Sequence, residues 1–294
     1  MEQEKEGVRL NKWISEAGIC TRREADRLIQ AGRVTVDGRR AETGTRVQRG
    51  QRVQVDGKAA SREKETILLA VNKPAGVVCT TEKKWGDSTL EELVNYPKRV
   101  FSVGRLDKDS EGLILMTNQG DLLNKIMKAG NYHEKEYVVT VDKAITPAFL
   151  KGMAKGVPLK ELNTVTRPCK VEKAGENRFR IVLTQGLNRQ IRRMCQHFGY
   201  RVVRLVRVRI MNIQLEKLPV GQYRHVSRQE LAVLLKSLER SQNNTEHRYQ
   251  EKERSGREAQ FRKEEAKTLE DRRKQSGKSQ SERKQNARRQ NNRK

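Results

Sequence analysis

The apolar residues of this chain are concentrated in short runs, and the length of those runs limits the folds that it can adopt. The two clearest runs, TILLAV at 66–71 and LILM at 113–116, are as long as buried β-strands. A membrane-spanning helix needs about 20 predominantly apolar residues in succession, and the sequence has no such run. We therefore expect a core built on a β-sheet and no membrane span.

A large surplus of positive charge predicts the kind of partner. The 294 residues include 63 Lys and Arg against 37 Asp and Glu, which gives a formal net charge of +26. Such a balance favours a polyanionic partner, and nucleic acid is the first candidate. An anionic membrane surface would also explain the charge, but no lipidation motif supports that interpretation.

The N-terminus and the cysteines predict the compartment. The opening MEQEKEGV is charged and acidic, unlike the basic and then apolar start of a secretory leader. The cysteines are scattered, without a CxxC pair, at Cys20, Cys79, Cys169 and Cys195. That spacing predicts neither a zinc site nor a disulfide framework. We expect a reduced, cytoplasmic protein.

Residues 7–60 predict a small module of two basic helices followed by short strands. Apolar residues at helical spacing precede Gly18, and Thr21 with Glu24 then forms a capping box for a second helix that stops at Gly32. Two short runs that end in Asp-Gly turns, RVTVDG and RVQVDG, predict hairpin strands. The second helix carries three arginines that we expect to contact RNA phosphates, Arg22, Arg23 and Arg27. A solvated basic helix without a ligand is the alternative.

Residues 66–240 predict a mixed α+β domain with a mainly antiparallel sheet, because strand-like and helix-like runs alternate without regular βαβ spacing. Ser88 and Glu91 predict a capped helix start in STLEELV. A polar linker at 61–65 separates this domain from the N-terminal module.

The C-terminal residues, 241–294, differ in kind from the rest of the chain. They contain almost no apolar residues and no periodicity that could bury a core, so we expect them to be disordered. Lys and Arg predominate toward the end. The tail could hold RNA electrostatically or act only as a solubilising segment, and the sequence leaves both interpretations open.

A helix predicted over 187–199 has two contrasting faces. One face is apolar and consists of Ile191, Met194, Cys195 and Phe198; the other is polar and consists of Arg189, Arg192, Arg193 and Gln196. Like charges on neighbouring turns repel one another unless anions meet them. The helix therefore predicts an anion-binding surface, with three solvated arginines as the alternative.

The stretch 204–212, RLVRVRIMN, predicts a strand with a similar division. Apolar residues at Val206, Val208 and Ile210 alternate with Arg207 and Arg209, which gives one apolar and one basic face. A cationic strand close to a cationic helix suggests a groove that binds RNA, and we expect Arg207 and Arg209 to contribute to it.

Four motifs, taken in order, resemble those of a known enzyme family. GRLDKDSEGLILMTN at 104–118 closely resembles the catalytic motif of the pseudouridine synthases of the RsuA and RluB/E/F group. NKPAGVV at 72–78 precedes it, and HEKEYVV at 133–139 and TQGLNRQIRRM at 184–194 follow it. Residues 7–60 resemble the S4 RNA-binding domain that this group carries. AGNYHEKEYVVTVDK is most similar to the F branch, whose members act on large-subunit ribosomal RNA.

The resemblance implies an isomerase that breaks the C1′–N1 bond of a uridine, turns the base over and rejoins it through C5. This reaction needs no cofactor and no metal. The implied partner is large-subunit ribosomal RNA, with a tRNA left open as a second substrate. The absence of a heptad pattern or an obvious apolar patch suggests a monomer.

The resemblance also implies roles for individual residues. Asp107 is the catalytic carboxylate, acting as a nucleophile or as a base at the ribose, and we expect Arg192 to pair with it. Tyr137 provides an aromatic face for the base once it has been flipped out. Arg105 would hold the backbone of the flipped nucleotide. Arg189 would contact RNA or support the site.

Asp109 and Arg193 complete these expectations. Asp109 is interpreted as a residue that caps the loop, because Asp is common in turns. Arg193 is expected to contact RNA.

Two other functions remain open at this point. A non-catalytic S4-type RNA-binding or ribosome-assembly factor would explain the charge, the N-terminal module and the tail, but it leaves the four motifs without a purpose. A synthase that acts on small-subunit RNA or on tRNA would use the same chemistry on another substrate.

Overall fold

The computed structural model describes residues 7–61, 65–80, 86–127 and 132–240. The predicted tail and the middle of the linker, residues 62–64, lie outside the described residues. No helix in the described ranges is long and apolar enough to span a membrane.

The N-terminal module consists of two helices against small antiparallel sheets. Its elements are β1 (Val8–Arg9), α1 (Leu10–Glu16), α2 (Arg22–Gln30), β2 (Val34–Val36), β3 (Arg39–Arg40), β4 (Arg46–Val47), β5 (Val53–Val55) and β6 (Lys58–Ala60). The order β3-β2-β5-β6 forms one sheet, and β1 pairs with β4. The apolar faces of both helices pack against β2 and β5 around Leu10, Ile14 and Ile29.

The local signals in this module act as predicted. Gly18 and Gly32 have positive φ after α1 and α2, and the Thr21 hydroxyl accepts a hydrogen bond from the backbone N–H of Glu24 at 3.1 Å. The Asp-Gly pairs after β2 and β5 both have left-handed backbone conformations, which suit tight hairpins.

The second domain is built on one long mixed sheet with helices around it. Its elements are β7 (Leu68–Lys73), α3 (Leu90–Val94), β8 (Phe101–Val103), β9 (Glu111–Thr117), α4 (Gly120–Met127), β10 (Lys135–Val141), α5 (Pro147–Lys155), β11 (Pro158–Leu159), β12 (Thr164–Val165), β13 (Lys170–Lys173), β14 (Arg178–Leu183), α6 (Gln190–His197), β15 (Val202–Ile210), β16 (Ile213–Gln214), β17 (Tyr223–His225) and a final helix, α7, over 228–240.

The sheet confirms the predicted α+β class and its mainly antiparallel character. The strand order is β13-β14-β10-β15-β9-β7-β17, with β16 on β15 and β8 on β9, and only the β15–β9 pairing is parallel. The apolar runs singled out in the sequence become β7 and β9. All of β7 is buried, as is β9 after its first residue, because helices or loops cover both faces of the sheet there.

One predicted helix start is wrong by one residue. Ser88 was expected to cap the helix with Glu91, but the cap is Thr89, whose hydroxyl accepts from the Glu92 N–H while the Glu92 carboxylate accepts from the Thr89 N–H. The reason is a backbone pairing with Val78: the Ser88 carbonyl accepts from the Val78 N–H at 3.0 Å, so the chain is still extended at Ser88 and the helix begins after Thr89.

The two domains meet through polar contacts at the C-terminal end of α1. The Arg99 guanidinium donates to the Ser15 carbonyl at 3.3 Å, to the Ser15 hydroxyl at 3.2 Å and to the Cys20 carbonyl. Lys12 forms an ion pair of 2.6 Å with Asp121 at the start of α4. These contacts place the basic helix α2 beside the second domain.

Candidate active site

A cavity of about 710 Å³ opens at the centre of the second domain. Its walls are the loop between β8 and β9, the loop and first turn that lead into α6, and one face of β10 and β15. Sequence motifs that lie far apart in the chain therefore meet at one place. The cavity contains Asp107, Tyr137, Arg105, Arg189 and Arg192, all of which had been predicted as site residues.

Asp107 lies in a short turn that the rest of the domain holds in place. The buried side chain of Leu106 anchors the turn, and the Ser110 N–H donates to the Asp107 carbonyl at 3.0 Å. The Gly76 N–H donates to the Lys108 carbonyl at 2.7 Å, so the NKPAG motif braces the turn from outside. The Asp107 side chain remains 36% exposed, which leaves its carboxylate accessible from the cavity.

Lys73 is a supporting residue that the sequence reasoning missed. It is fully buried, and its ammonium donates to the carbonyls of Pro74 and Val77 at 2.7 and 2.8 Å. Burial lowers the pKa of Lys73. By holding these two carbonyls, Lys73 shapes the loop whose Gly76 N–H supports the turn that carries Asp107.

The predicted pairing of Arg192 with Asp107 is wrong, because Arg189 occupies that place. Arg189 donates to both carboxylate oxygens of Asp109 at 3.1 and 2.9 Å and lies 3.6 Å from the Asp107 carboxylate. Its backbone is left-handed, with φ of 48°, immediately before α6 begins at Gln190. This conformation brings the Arg189 side chain against the turn that holds both carboxylates.

Arg192 instead supports the backbone around the site. Its guanidinium donates to the Asp109 carbonyl at 2.9 Å and to the Val202 carbonyl at 3.3 Å, and lies 3.3 Å from the Asp109 carboxylate. Asp109 is thus a bridge between two arginines, in addition to being a turn residue. The hydrogen bond from Arg189 is the main cause that lowers the pKa of Asp109, so this carboxylate is ionised at neutral pH.

The two faces predicted for the helix are largely confirmed. Ile191, Met194 and Cys195 are buried and Phe198 packs against the same core. The arginine face is divided, however, because Arg193 pairs with Glu161 and donates to the Asn188 carbonyl at 3.1 Å. Arg193 lies outside the cavity, and its contact with RNA stays a prediction.

Tyr137 lies on β10 at the boundary of two apolar clusters. It packs against the cluster around Phe179 and against the cluster around Leu106, and it lines the cavity. In the sheet register it pairs with Arg207 of β15. The ring is half-buried, so it is held firmly while part of it faces the cavity.

The interpretation of β15 as one apolar and one basic face is wrong. Arg207 is only 3% exposed and lines the cavity, while Val206 and Val208 are half-buried. Bulges in the β10–β15 pairing and cover on both sides of the sheet remove the simple alternation. Arg209 lies on the face of the sheet opposite to Arg207, where Glu134 and Glu136 accept from it at 3.0 and 2.9 Å.

Two further cavity residues escaped the sequence reasoning. Burial and the charge of Arg207 lower the pKa of Lys135 to about 8. The buried His133 ring has Nδ1 2.9 Å from the Ile126 carbonyl, and burial lowers its pKa. The signal for Lys135 was available, since residues two apart on a strand share a face and Tyr137 follows it at that spacing.

The residues predicted to contact RNA outside the cavity have mixed surroundings. Arg105 is exposed at the cavity mouth, and Arg22, Arg23 and Arg27 are exposed on α2. Arg27 forms an ion pair of 3.1 Å with Glu24. RNA contact by these arginines and by Arg209 stays a prediction. Within the described ranges, no group of three or more His, Cys, Asp and Glu residues is arranged to hold a metal.

Comparison with known proteins identifies the family. The model for RNA pseudouridylate synthases matches residues 67–197, and the model for the S4 domain matches residues 8–53. Over 236 residues, 80% of each chain, the protein is 54% identical to the dual-specificity RNA pseudouridine synthase RluF of Escherichia coli K12. The chain belongs to the RNA pseudouridine synthases.

More distant relatives agree with this assignment. The ribosomal large subunit pseudouridine synthase B of Bacillus subtilis is 32% identical over 230 residues, which cover 76% of this chain and 93% of the relative. A crystal structure described as a pseudouridylate synthase matches with a TM-score of 0.58 and 28% identity, and covers 78% of this chain and all of that one. The predicted enzyme class and the S4 module are thereby confirmed.

Proposed function

We propose that this pseudouridine synthase isomerises uridines in two RNAs, large-subunit ribosomal RNA and a tRNA, and that Asp107 is its catalytic carboxylate. The observation that carries the proposal is the 54% identity, over 80% of both chains, to a relative named as a dual-specificity enzyme. The name of the Bacillus subtilis relative supports the large ribosomal subunit as one source of substrate. The proposed RNAs place the enzyme in the cytoplasm.

The geometry of the cavity supports Asp107 as the reactive group. The Asp107 carboxylate faces the cavity and has the Arg189 guanidinium 3.6 Å away as a positively charged neighbour. An ionised carboxylate is what either route requires, whether it attacks C1′ or takes a proton from the ribose. Asp109, two residues later, is engaged by both Arg189 and Arg192 and so has a supporting role.

Access to the uridine requires base flipping. The cavity is closed on one side by the sheet, so a base within an RNA helix or a stacked loop has to leave its stack to reach Asp107. Tyr137 provides the face against which the flipped base stacks, which stabilises it by about 1–3 kcal/mol. Arg105, exposed at the mouth, meets the RNA backbone there, and the arginines of α2 hold RNA farther out.

The proposal is tested by release of tritium from RNA labelled at C5 of uridine, because C5 loses its hydrogen when it joins C1′. Wild-type enzyme should release tritium from both large-subunit ribosomal RNA and tRNA. Asp107→Asn should release none and should still bind both RNAs. Asp142→Asn is the matched control, since Asp142 lies outside the cavity, where it accepts from the backbone N–H of Arg201 at 2.9 Å and lies 3.8 Å from the Arg201 guanidinium.

The possible outcomes test the substrates and the role of Asp107 separately. Release from ribosomal RNA alone would contradict the second substrate. Full activity of Asp107→Asn would contradict the role of Asp107. No release from any cellular RNA by the wild-type enzyme would favour a non-catalytic RNA-binding factor. We expect the enzyme to act as a monomer, which light scattering of the purified protein would check.

A further inference from the structure

Arg207 is a buried cation in the catalytic cavity without a charge partner among the described residues. Its side chain is 3% exposed, its Nε donates to the Leu113 carbonyl at 2.6 Å, and its Nη2 is buried with no hydrogen-bond partner. Leaving a buried guanidinium donor unpaired costs free energy, so proteins pair such groups with protein or ligand acceptors.

Two other arginines of β15 show how different Arg207 is. Arg204 forms an ion pair of 2.8 Å with Glu111, and Arg209 forms ion pairs with Glu134 and Glu136. Both carboxylate-paired arginines lie outside the cavity wall, whereas Arg207 lines it. Carboxylates therefore neutralise the two arginines of β15 that do not face the cavity. The arginine that does face it has no carboxylate partner among the described residues.

The surroundings of Arg207 increase the positive charge instead of balancing it. Lys135 lines the same cavity, and the repulsion between the two cations contributes to the lowered pKa of Lys135. Two adjacent cations without a carboxylate between them form a site for an anion that arrives with the substrate. Among the described residues, no carboxylate forms an ion pair with either cation, although Asp107 lines the same cavity.

The sheet register locates this site relative to the flipped base. Arg207 is the cross-strand partner of Tyr137, so their side chains share a face of the sheet. On the other side, Arg207 is held by β9: a Cβ at Gly112 would lie 2.3 Å from the Arg207 carbonyl, so only glycine permits this approach. A base stacked on Tyr137 therefore lies on the face of the sheet that carries Arg207.

We infer that Arg207 is a further catalytic residue, whose guanidinium donates to a carbonyl oxygen of the flipped uracil and stabilises the base when it separates from the ribose. The inference rests on the proposed function, because it concerns the same reaction. When the C1′–N1 bond breaks, its electron pair stays on the base, and the negative charge spreads from N1 to the O2 and O4 oxygens. The Asp107 carboxylate stabilises or attacks C1′ of the ribose.

The remaining steps balance without any proton from Arg207. After the base has turned, C5 donates an electron pair to C1′ and forms the new C–C bond; if Asp107 had attacked C1′, that C–O bond breaks and its electron pair returns to the carboxylate. The hydrogen at C5 then leaves as a proton, and N1 takes up a proton from water. The guanidinium keeps all its hydrogens throughout, as its very high pKa requires. Its contribution is a fixed donor aimed at charge that develops only after bond cleavage, which is the arrangement that accelerates a chemical step.

The test compares Arg207→Met with Arg204→Met, which removes a cation from the same strand outside the cavity. Single-turnover tritium release at saturating RNA gives the chemical rate, and filter binding gives the affinity. Arg207→Met should slow release by about 100-fold or more while the RNA dissociation constant stays within about threefold of the wild-type value. Arg204→Met should retain the wild-type rate.

Rescue distinguishes a catalytic donor from a structural one. In Arg207→Ala, which opens space in the cavity, added guanidinium ion should restore part of the rate, and added ammonium ion should restore less. Arg207→Lys, which keeps a charge in the position, covers the case in which the other variants do not fold, and should still lose at least about tenfold in rate.

Several results would overturn the inference. One is a rate for folded Arg207→Met equal to that of Arg204→Met, or for Arg207→Lys equal to wild type. Another is a loss that appears in the dissociation constant and not in the rate, since this would mark a phosphate contact. A third is that added guanidinium ion restores none of the rate of tritium release in folded Arg207→Ala. No tritium release by the wild-type enzyme would overturn the proposed function and, with it, this inference.

Discussion

Asp107 and Asp109 are separated by one residue, yet their contacts differ, and we expect their roles to differ as well. Arg189 and Arg192 both engage Asp109, whereas Asp107 has only the contact of 3.6 Å with Arg189 and faces the cavity. A carboxylate held by two guanidiniums is ionised and immobile, which suits a support. A carboxylate with one looser partner, facing the cavity, is still able to react.

Replacing Arg189 should therefore affect the reaction through both carboxylates. Arg189→Met removes the ion pair near Asp107 and one of the two arginines that hold Asp109. We expect the single-turnover rate to fall by about tenfold, the scale of roughly 1.4 kcal/mol for a partly exposed pair that also positions a loop. Arg201→Met is the control, because Arg201 is exposed and lies near Asp142 only. Equal rates for the two variants would contradict this account.

Lys135 gives a prediction for the pH dependence of stability. Its pKa is lowered from 10.5 to about 8 in the folded protein. Below pH 8 the lysine is charged in both the folded and the unfolded chain, and the fold bears the full cost of burying the charge. Between about pH 8 and 10.5 the folded lysine is neutral while the unfolded one still binds a proton, so stability rises with pH.

The measurement is the free energy of unfolding in urea for wild type and for Lys135→Met. Across that pH window, the wild-type value should rise relative to the variant by up to about 3 kcal/mol. A constant difference between the two proteins from pH 7 to pH 10.5 would contradict the lowered pKa of Lys135.

At the scale of elements, the junction of α1 with the catalytic domain depends on Arg99. Its guanidinium donates to the carbonyls of Ser15 and Cys20, which lie at the end of α1 and just before α2. Since α2 carries the arginines expected to bind RNA, Arg99 fixes the direction in which they are presented.

Arg99→Met should remove the guanidinium donor from both carbonyls, of which that of Ser15 keeps the Gly18 N–H, and lower the free energy of unfolding by about 1–3 kcal/mol. RNA should bind more weakly, while the rate at saturating RNA stays nearly unchanged, because the cavity is not touched. Arg178→Met is the control, as Arg178 is exposed and donates only to the Ala174 carbonyl at 3.4 Å. An unfolding free energy equal to that of the control would show that the junction does not depend on Arg99.

The elements also show what the sequence could predict and why it failed elsewhere. The apolar runs became β7 and β9, and Gly18, Gly32 and Thr21 marked helix ends as expected, because these signals act locally. β15 was misread because its two sides are both covered and its pairing contains bulges, neither of which leaves a local trace.

The site was predictable in its members but not in its pairings. The motifs that resemble the enzyme family predicted Asp107, Tyr137, Arg189 and Arg192 as site residues, and all four line one cavity. Which arginine faces which carboxylate depends on the left-handed backbone at Arg189, where a non-glycine residue is uncommon and gives no sequence signal. Arg207 could be placed only from the strand register, which sets it opposite Tyr137, 70 positions earlier in the chain.

At the scale of the whole molecule, a net charge of +26 makes RNA capture depend on salt. The basic tail at 241–294 adds charge without a predicted fold. A chain that ends at residue 240 should bind ribosomal RNA with a smaller slope of log affinity against log salt, while its rate at saturating RNA stays the same. Identical slopes for the full and shortened chains would show that the tail does not bind RNA.

The central claim is that Asp107 makes pseudouridine in two cellular RNAs. A map of pseudouridines in total RNA, obtained by carbodiimide labelling and primer extension in cells with the gene deleted, tests it directly. The account predicts the loss of one site in large-subunit ribosomal RNA and one in a tRNA, both restored by wild type and neither by Asp107→Asn. A map that does not change on deletion, or that Asp107→Asn restores, would contradict it.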